Sequence, residues 1–396
     1  MSSQATILKD GIIYTGGRFE QLDVRIERGT IAELLPSIST SKKDVVIDVA
    51  GHAVVPGLIN SHDHLEFNLF PKLGRPPYKN YVEWAEDVQK NFQEQIKLIL
   101  QIPLKDRLLW GGYKNLFSGV TTGFQHNSYH PVFKKEFPIR VHENYTWIHS
   151  LRLDSELHSK LASRDGRLCA IHLAEGVDEL AGSELRTLDS LGGLTDRTII
   201  VHGIGLGDND LERLVAKQSA LVWCPSSNHY LFGRTAPVER LVGRINVALG
   251  TDSTISGGID LFSEMRHAQW SKSFTPGQII DMVTRIPARV LGLNAGEINL
   301  GRDADLLIFR PRNSTDPLQF LFTMSSTQIA CVVKGGKPVF GSLEFEKFFD
   351  RFGAEYSQVS LNGEIMLATG DFPGLGSRIK KYLGQDGVSS DYPLLN

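Results

Sequence analysis

Short apolar runs alternate with helix-period segments through the middle of the chain, and this alternation limits the possible folds more than any other feature. Segments such as Val82–Leu100 and Asp208–Lys217 have the apolar spacing of helices. Continuous apolar strands separated by helices are typical of a parallel sheet that is buried on both faces. The sequence therefore predicts an α/β fold of βα units. The predicted central strands are Gly57–Ile59, Val120–Phe124, Leu168–His172, Thr198–His202, Leu221–Cys224 and Val247–Leu249.

The two ends of this section have a different pattern, in which short β-rich runs are separated by turns. Asp10-Gly11 and Gly16-Gly17 are turn signals between such runs, which predicts a small antiparallel sheet near the start. The same pattern returns at Asp305–Phe309. We therefore expect the two β-rich ends to form one composite β-sandwich around the central domain. The predicted divisions are residues 1–55 plus 300–345 for the sandwich, 56–299 for the central domain and 346–396 for a C-terminal extension without an assigned role.

Composition excludes several classes of protein. The chain has 396 residues, of which 41% are hydrophobic and 22% charged, as in ordinary globular proteins. Its formal net charge of −3 gives no reason to expect a nucleic-acid or membrane partner. Three widely separated cysteines suit a reducing compartment, so we expect a cytoplasmic protein. A homodimer is left open.

His62 and His64 flank Asp63 at the end of the first predicted central strand. Residues at i and i+2 of a strand point to the same side, so both imidazoles face one cavity. Paired imidazoles suit a borderline metal ion such as Zn²⁺, although a His-x-His pair also arises by chance. Taken alone, this pair is weak support for a metal site.

Three further predicted strands also end in polar residues. Leu168–His172 ends in a histidine and is followed by Glu175, and Thr198–His202 ends in another histidine. The strand that begins at Val247 leads into Asp252. Buried strands have no structural need for such residues, and an unpaired imidazole or carboxylate would be costly to bury. Because the carboxyl ends of barrel strands meet at one mouth, we expect these side chains to converge there.

An ordered set of motifs resembles the amidohydrolase superfamily, and within it the deaminase/chlorohydrolase branch. The motifs are PGLINSHDH, GVTTG, IHLAEG, VHG, CPSSN, GTDS and GEINLGRDADLLIF. Together they span roughly residues 5 to 340, and their order is far more specific than any one motif. The resemblance implies a (β/α)8-type TIM barrel with a composite β-sandwich from both chain ends.

The resemblance also implies a site. His62, His64, His172 and Asp252 are its expected metal ligands. One divalent ion per chain is expected, with Zn²⁺ favoured and Fe²⁺ left open, since histidine and carboxylate ligands suit both. Asp252 then also has a catalytic role, as a proton acceptor. The other two catalytic residues are expected to be Glu175, as a proton carrier, and His202, which orients or polarises the nucleophile.

Two departures from the family pattern affect these expectations. No lysine lies at a clear strand end, where some superfamily members hold a metal-bridging lysine, so a single ion is expected; Glu143 is the candidate for recruiting a second. The 50 residues from Thr122 to His172 must normally hold two βα units. The strands found there are Ile139–His142 and, less clearly, Thr146–Ser150. A trimmed or distorted barrel is therefore expected on this side.

Four residues outside the ligand set are candidate substrate contacts. His126 follows a strand, although an exposed loop histidine would look the same. Asn228, His229 and Arg234 follow another apolar strand and fit a loop-stabilising role equally well. His149, His158 and His267 have the context of ordinary surface or core residues.

The leading functional hypothesis is a metal-dependent hydrolase that cleaves a C–N bond of a small nitrogen heterocycle and releases ammonia. An amino group leaves poorly as an anion, so the proton carrier Glu175 favours deamination. Hydrolysis of a cyclic or linear amide, or of a carbon–halogen bond, is an alternative that keeps the same metal chemistry. A non-catalytic scaffold is the remaining alternative, but a scaffold needs none of the ligands.

Overall fold

A computed structural model of the chain describes residues 5–135, 137–312, 316–353 and 355–383. In chain order the strands are β1 (Thr6–Thr15), β2 (Arg18–Glu27), β3 (Thr30–Leu35), β4 (Val45–Asp48), β5 (Ala53–Pro56), β6 (Leu58–Asp63), β7 (Val120–Gln125), β8 (Arg140–Val141), β9 (Tyr145–Ile148), β10 (Leu168–Leu173), β11 (Thr198–His202), β12 (Ala220–Trp223), β13 (Val247–Leu249), β14 (Leu306–Phe309), β15 (Ile329–Lys334), β16 (Lys337–Ser342), β17 (Tyr356–Leu361) and β18 (Glu364–Thr369). The helices are α1 (Tyr81–Asn91), α2 (Gln93–Leu100), α3 (Leu104–Leu116), α4 (Leu157–Ala162), α5 (Glu179–Ser190), α6 (Asp208–Lys217), α7 (Pro225–Phe232), α8 (Leu261–Trp270), α9 (Pro276–Met282), α10 (Arg285–Leu291), α11 (Pro317–Leu321), α12 (Glu346–Arg351) and α13 (Phe372–Leu383).

Strands from both ends of the chain share one mixed sheet. Its order is β17-β18-β16-β15-β14-β5-β1-β2-β3, and β4 pairs with β1. β5 connects the two halves, since Val54 lies opposite Ile13 in a parallel pair and opposite Ile308 in an antiparallel pair. β17 and β18 belong to the predicted C-terminal extension and lengthen the same sheet. The domain boundaries themselves remain predictions.

β1 runs through Asp10 and Gly11, where the sequence pattern predicted a turn between two strands. Asp10 has a φ of 60°, and the register between β1 and β2 shifts at this point, so the strand contains a bulge. The carboxylate of Asp23 accepts the Asp10 N–H at 2.9 Å and satisfies the backbone donor there. The predicted turn was wrong because Asp and Gly favour left-handed conformations in bulges as well as in turns.

The predicted central strands form two parallel sheets, and the predicted α/β class is confirmed. One sheet has the order β6-β7-β8, and the other has the order β13-β12-β11-β10-β9. A parallel bridge between Asp63 and Asp252 joins the edges at β6 and β13. Fully buried residues such as Ile171 and Leu221 pack in the same core as Leu211 of α6. The carboxyl ends of the strands therefore lie together and can form one site.

The stretch before β10 is shortened, in the region where a trimmed barrel was expected. β8 and β9 are separated only by residues 142–144, without a helix between them, and α4 is the helix that precedes β10. The predicted helix Val82–Leu100 is divided at Phe92 into α1 and α2. None of the helices in the described part of the chain combines the length and apolar character that a membrane crossing requires.

Candidate metal and catalytic site

Four polar side chains from three strand ends converge in the interior. Nε2 of His172 lies 3.2 Å from Nε2 of His64 and 3.3 Å from Nε2 of His62. Oδ1 of Asp252 lies 3.7 Å from Nε2 of His62 and 3.6 Å from that of His64. All four residues are buried. The structure therefore brings together the four residues predicted as ligands.

The spacing of these atoms fits a tetrahedral metal ion. Ligands at about 2.0–2.2 Å from a tetrahedral ion lie about 3.3–3.6 Å from one another, close to the separations found here. Nδ1–H of His172 donates to the backbone carbonyl of His149 at 2.7 Å, so the Nε2 lone pair of a neutral His172 faces the other ligands. Nδ1 of His62 is buried and has no hydrogen-bond partner within the described part of the chain. The donor set suits Zn²⁺ or Fe²⁺, as the sequence predicts.

Burial sets the charge state of these ligands. Desolvation lowers the pKa of His62, and it lowers the pKa of His64 to about 4 together with the neighbouring His62. Neutral imidazoles are the form that binds a metal ion. Burial alone would raise the pKa of Asp252, but the nearby imidazoles of His62, His64 and His202 hold that pKa below its usual value. The site therefore presents three neutral nitrogens and one carboxylate.

Two serine hydroxyls orient Asp252. Its Oδ2 atom accepts hydrogen bonds from Oγ of Ser227 at 2.8 Å and Oγ of Ser256 at 2.7 Å. Since Oδ2 is occupied in this way, Oδ1 remains directed at the histidines. Ser227 belongs to the CPSSN motif at the start of α7, which connects that motif to the ligand set.

The backbone is strained where the polar strand ends meet. Ala174, His202 and Asp252 have φ values of 53°, 74° and 57°, in the left-handed region that residues other than glycine seldom adopt. Such conformations persist only when the surrounding structure imposes them, and they are concentrated at functional sites. The three residues follow or end β10, β11 and β13.

Glu175 and His202 lie next to the ligand cluster. Oε1 of Glu175 is 3.8 Å from Nε2 of His202, and both side chains are buried. Burial raises the pKa of Glu175 to about 7, although the nearby His202 opposes the shift. A carboxyl group with this pKa exchanges a proton near neutral pH, as a general acid or base must.

Asn228, a predicted substrate contact, is buried and holds His202. Its Oδ1 accepts the Nδ1–H of His202 at 2.9 Å, while its Nδ2 lies 3.3 Å from Oγ1 of Thr235. This bond fixes the tautomer of His202 and leaves Nε2 as an acceptor on the side of Glu175. The hydrogen bond matches the alternative that Asn228 stabilises the local structure, since its partner is the buried side chain of His202.

Replacing Asn228 by alanine is expected to lower turnover by about 10- to 100-fold, the usual effect of removing such a partner. Metal content should stay near one ion per chain, because the side-chain hydrogen bonds of Asn228 go to His202 and Thr235 and not to the four expected ligands. Asn228→Asp keeps the acceptor for the His202 ring and should recover much of the activity. Equal losses in both variants would contradict the role of the acceptor.

His126 is the other predicted contact that lies inside the site. Its ring stacks on His172 with centroids 4.0 Å apart, and Nε2–H donates to the carbonyl of Ile148 at 3.0 Å. Its Nδ1 is buried without a hydrogen-bond partner in the described residues. His62, His126 and His172 also form a group whose ligand atoms all lie within 4.8 Å of one another. His126 is therefore part of the metal cavity and not an exposed loop residue.

The other candidates lie outside this cavity. His229 and Arg234 are exposed, on the far end of α7 and the loop after it. Glu143 is also exposed and forms an ion pair with Lys134. It belongs to neither group of potential metal ligands found in the described residues. Substrate roles for His229 and Arg234 remain predictions.

Sequence reasoning missed three contributors. His149 was interpreted as an ordinary histidine, yet its ring centroid lies 5.4 Å from that of His172 and its carbonyl holds His172 in place. Ser256 and Glu184 were not singled out, although one hydrogen-bonds to Asp252 and the other to the backbone before Glu175. Ser256 lies beyond the GTDS motif and Glu184 lies within a helix, so neither residue has a local sequence signal that marks its role.

Part of the chain matches a known protein family. The model of the amidohydrolase family matches residues 154–339. This region contains four of the residues in the site, namely His172, Glu175, His202 and Asp252.

Curated proteins with similar sequences are named as deaminases. A 5-methylthioadenosine/S-adenosylhomocysteine deaminase of Pyrococcus furiosus is 27% identical, over 92% of this chain and 96% of that protein. A 5'-deoxyadenosine deaminase of Methanosphaera stadtmanae is 25% identical, over 78% of this chain and 85% of that protein.

Solved structures show the same fold. An adenosine deaminase from Xanthomonas campestris with bound zinc has a TM-score of 0.74 at 19% identity, covering 96% of this chain and 98% of that one. Atrazine chlorohydrolase from Arthrobacter aurescens, complexed with zinc, has a TM-score of 0.67 at 17% identity, covering 88% of this chain and 99% of that one. The chain therefore contains an amidohydrolase-family region, and the predicted resemblance to the deaminase/chlorohydrolase branch of the amidohydrolase superfamily is confirmed.

Proposed function

We propose that this chain is a hydrolytic deaminase that releases ammonia from the purine ring of an adenosine-like nucleoside. The chain is a hydrolase of the amidohydrolase type, and its curated relatives are named as deaminases of 5-methylthioadenosine, S-adenosylhomocysteine or 5'-deoxyadenosine. One of these relatives matches 92% of the chain, which supports a substrate of the same class.

The position and the raised pKa of the Glu175 carboxyl are the main support for this proposal. This buried carboxyl, with a pKa raised to about 7, lies beside His202 and the cluster of metal ligands. We assign to Glu175 two successive proton transfers: one proton of the attacking water passes to a ring nitrogen and stays there, and the second, first accepted by Asp252, passes to the amino group. Protonation lets the amine depart as ammonia, whereas a halide leaves without it.

The other residues of the site have complementary roles in this proposal. His62, His64, His172 and Asp252 would hold one divalent ion, for which their spacing is suited. When bound, the ion supplies Lewis acidity that lowers the pKa of the attacking water. Asp252 is assigned a second role as acceptor of a proton from that water. His202, held by Asn228, directs an Nε2 lone pair towards the reacting centre.

Ammonia release from a nucleoside panel tests this proposal. The panel contains adenosine, 5'-deoxyadenosine, 5-methylthioadenosine and S-adenosylhomocysteine, with a pyrimidine, a pterin and a chlorotriazine as contrasting substrates. We expect ammonia from at least one adenine nucleoside and none from a matched inosine control. Halide release from the chlorotriazine without ammonia from any nucleoside would favour the dehalogenation alternative.

Removing the metal is expected to abolish this activity. The purified protein should contain close to one zinc or iron per chain, and dialysis against a chelator should reduce turnover at least about 100-fold, because the Lewis acid is lost. Adding back Zn²⁺ or Fe²⁺ should restore activity in proportion to the metal bound. Full activity in metal-free protein would contradict the proposed chemistry, and metal well below one per chain would favour a scaffold.

We also propose that the two parallel sheets are arcs of one (β/α)8-type barrel. Together they contain eight strands in chain order, from β6 to β13, and every pair within each sheet is parallel. The parallel bridge between Asp63 and Asp252 supports closure between β6 and β13. The three-residue connection supports a barrel that lacks the helix between β8 and β9. An experimental structure in which β8 and β9 lie far apart would contradict closure.

Two further expectations remain predictions. The three cysteines are buried and free, which supports a reducing compartment such as the cytoplasm. A homodimer is untested, and light scattering of the purified protein would decide between one and two chains.

A further inference from the structure

The turn that carries Glu175 is held in an unusual conformation. Ala174, between β10 and Glu175, has a φ of 53°. Its N–H donates to Oε2 of Glu184 at 2.8 Å, and its carbonyl accepts the N–H of Gly205 at 2.8 Å. An alanine keeps a left-handed conformation only where its surroundings impose it. Glu184, on α5, supplies one of these two restraints.

Glu184 is a buried carboxyl group whose two oxygens have separate partners. Glu184 is only 3% exposed, and its Oε1 atom accepts a hydrogen bond from the Tyr81 hydroxyl at 2.8 Å. Burial raises the pKa of Glu184 to about 7, while the hydrogen bonds from Tyr81 and Ala174 oppose the shift. A buried carboxyl is costly without such partners, so the three groups form one connected unit.

The segment Lys79–Tyr81 restrains the same turn from the opposite side. The N–H of Tyr81 donates to the carbonyl of Glu175 at 3.1 Å, and the N–H of Val177 donates to the carbonyl of Lys79 at 2.7 Å. The two backbones meet at Gly176, where a Cβ atom would lie 2.6 Å from the Lys79 carbonyl oxygen. Only glycine permits this approach.

The Glu175 carboxyl depends on this framework for its position. Among the described residues no hydrogen bond reaches the carboxyl oxygens of Glu175, and Oε1 is 3.8 Å from Nε2 of His202. A side chain without a direct hydrogen-bonded anchor takes its place from its backbone, so an error in the turn displaces the carboxyl. Displacement of a reacting group by about 1 Å costs on the order of 100-fold in rate.

We propose that Glu184 and Tyr81 are positioning residues that hold the Glu175 turn in its catalytic geometry. This inference rests on the proposed deaminase function and deepens it. Neither residue is among the predicted ligands or catalytic residues. Glu184 acts through the Ala174 N–H, and Tyr81 acts through its hydroxyl, which fixes the Glu184 carboxyl, while the proton transfer itself belongs to Glu175.

The test compares Glu184→Ala with Glu184→Gln on the nucleoside that releases ammonia. Glu184→Ala leaves the Ala174 N–H and the Tyr81 hydroxyl without a partner, and we expect kcat to fall by about 10- to 100-fold. KM should change less than about threefold, because the turn positions a proton carrier and not the substrate. Glu184→Gln keeps an oxygen for Ala174 and an amide that donates to Tyr81, so it should recover kcat to within about fivefold of the parent.

Controls separate positioning from loss of fold. Glu179→Ala changes an exposed glutamate in the first turn of the same helix and should leave kcat unchanged. Metal content and melting temperature are measured for every variant, and kcat is expressed per bound metal. Tyr81→Phe removes only the hydroxyl and provides a milder variant if Glu184→Ala does not fold.

The outcomes are distinguishable. A fall in kcat with near-normal KM and metal content, rescued by Glu184→Gln, supports the positioning role. Wild-type kcat in Glu184→Ala or in Tyr81→Phe, or an equal loss in the Ala and Gln variants, overturns it while the deaminase function stands. Absence of ammonia from every nucleoside with the parent protein overturns the proposed function, and this inference with it.

Discussion

Replacing Asp252 by alanine is expected to remove both the bound metal and the activity, with turnover falling at least about 10⁴-fold. Oδ1 of Asp252 is the carboxylate donor that faces His62 and His64 at 3.6–3.7 Å. Its loss leaves three neutral imidazoles, which bind a divalent ion less tightly and supply no negative charge. The same substitution removes the proposed proton acceptor. Metal stoichiometry by elemental analysis and kcat on the nucleoside substrate measure the two effects.

A graded series makes this expectation sharper. Ser227→Ala removes one of the two hydroxyls on Oδ2 of Asp252 and should weaken metal binding by about 10- to 100-fold. Asp208→Ala changes a highly exposed aspartate at the start of α6 and should alter neither metal content nor kcat. Full metal occupancy in Asp252→Ala would show that the ion is held elsewhere, and the group of His62, His126 and His172 would be the alternative.

The convergence of the expected ligands was predictable because the signal for each polar strand end is local to its strand. Continuous apolar runs that end in His172 or His202 have no structural explanation for the terminal polar residue, and the strands occur where the pattern places them. The convergence of their ends follows from parallel pairing, which the helix-separated pattern also predicts. The polar strand ends and the parallel pairing that brings them together could therefore be predicted from the sequence, whereas the assignment of metal ligands rests on the family resemblance and remains a prediction.

The restraints around the site were not predictable in the same way. Glu184 lies on α5, where a glutamate within an amphipathic helix ordinarily faces solvent, and its burial depends on Tyr81 from another segment. Asn228 illustrates the same limit, because the sequence places it after a strand and does not reveal that its partner is His202. Contacts between residues distant in the chain require the tertiary structure.

The ends of the chain show a further limit of local patterns. Alternating strands and turns indicated a small antiparallel sheet, yet the sheet is mixed, because β1 pairs in parallel with both β4 and β5. Strand direction depends on the path of the connecting loops, which propensity does not encode. The Asp10 bulge was interpreted as a turn because a single residue with positive φ suits both structures.

Replacing Glu175 by glutamine is expected to lower kcat by roughly 10²–10⁴-fold while the metal content stays near normal, the usual range for losing a positioned general acid or base. The amide is close in shape to the carboxyl and leaves the backbone bonds of Tyr81 and Val177 in place. It cannot take a proton from the attacking water and pass it to the leaving amine. His202→Asn should also lose activity and retain metal, because His202 is not among the four expected ligands.

Two comparisons decide whether the loss belongs to proton transfer. Glu179→Gln makes the same chemical change at an exposed position a few residues along the chain and should leave kcat unaltered. A substrate whose leaving group departs without protonation, such as a halide on the same ring, should be far less sensitive to Glu175→Gln than the amine. Near-parental ammonia release by Glu175→Gln would rule out the proton-carrier role. The buried carboxyl beside His202 would then act through its charge or its packing, and the preference for an amine leaving group would lose its physical basis.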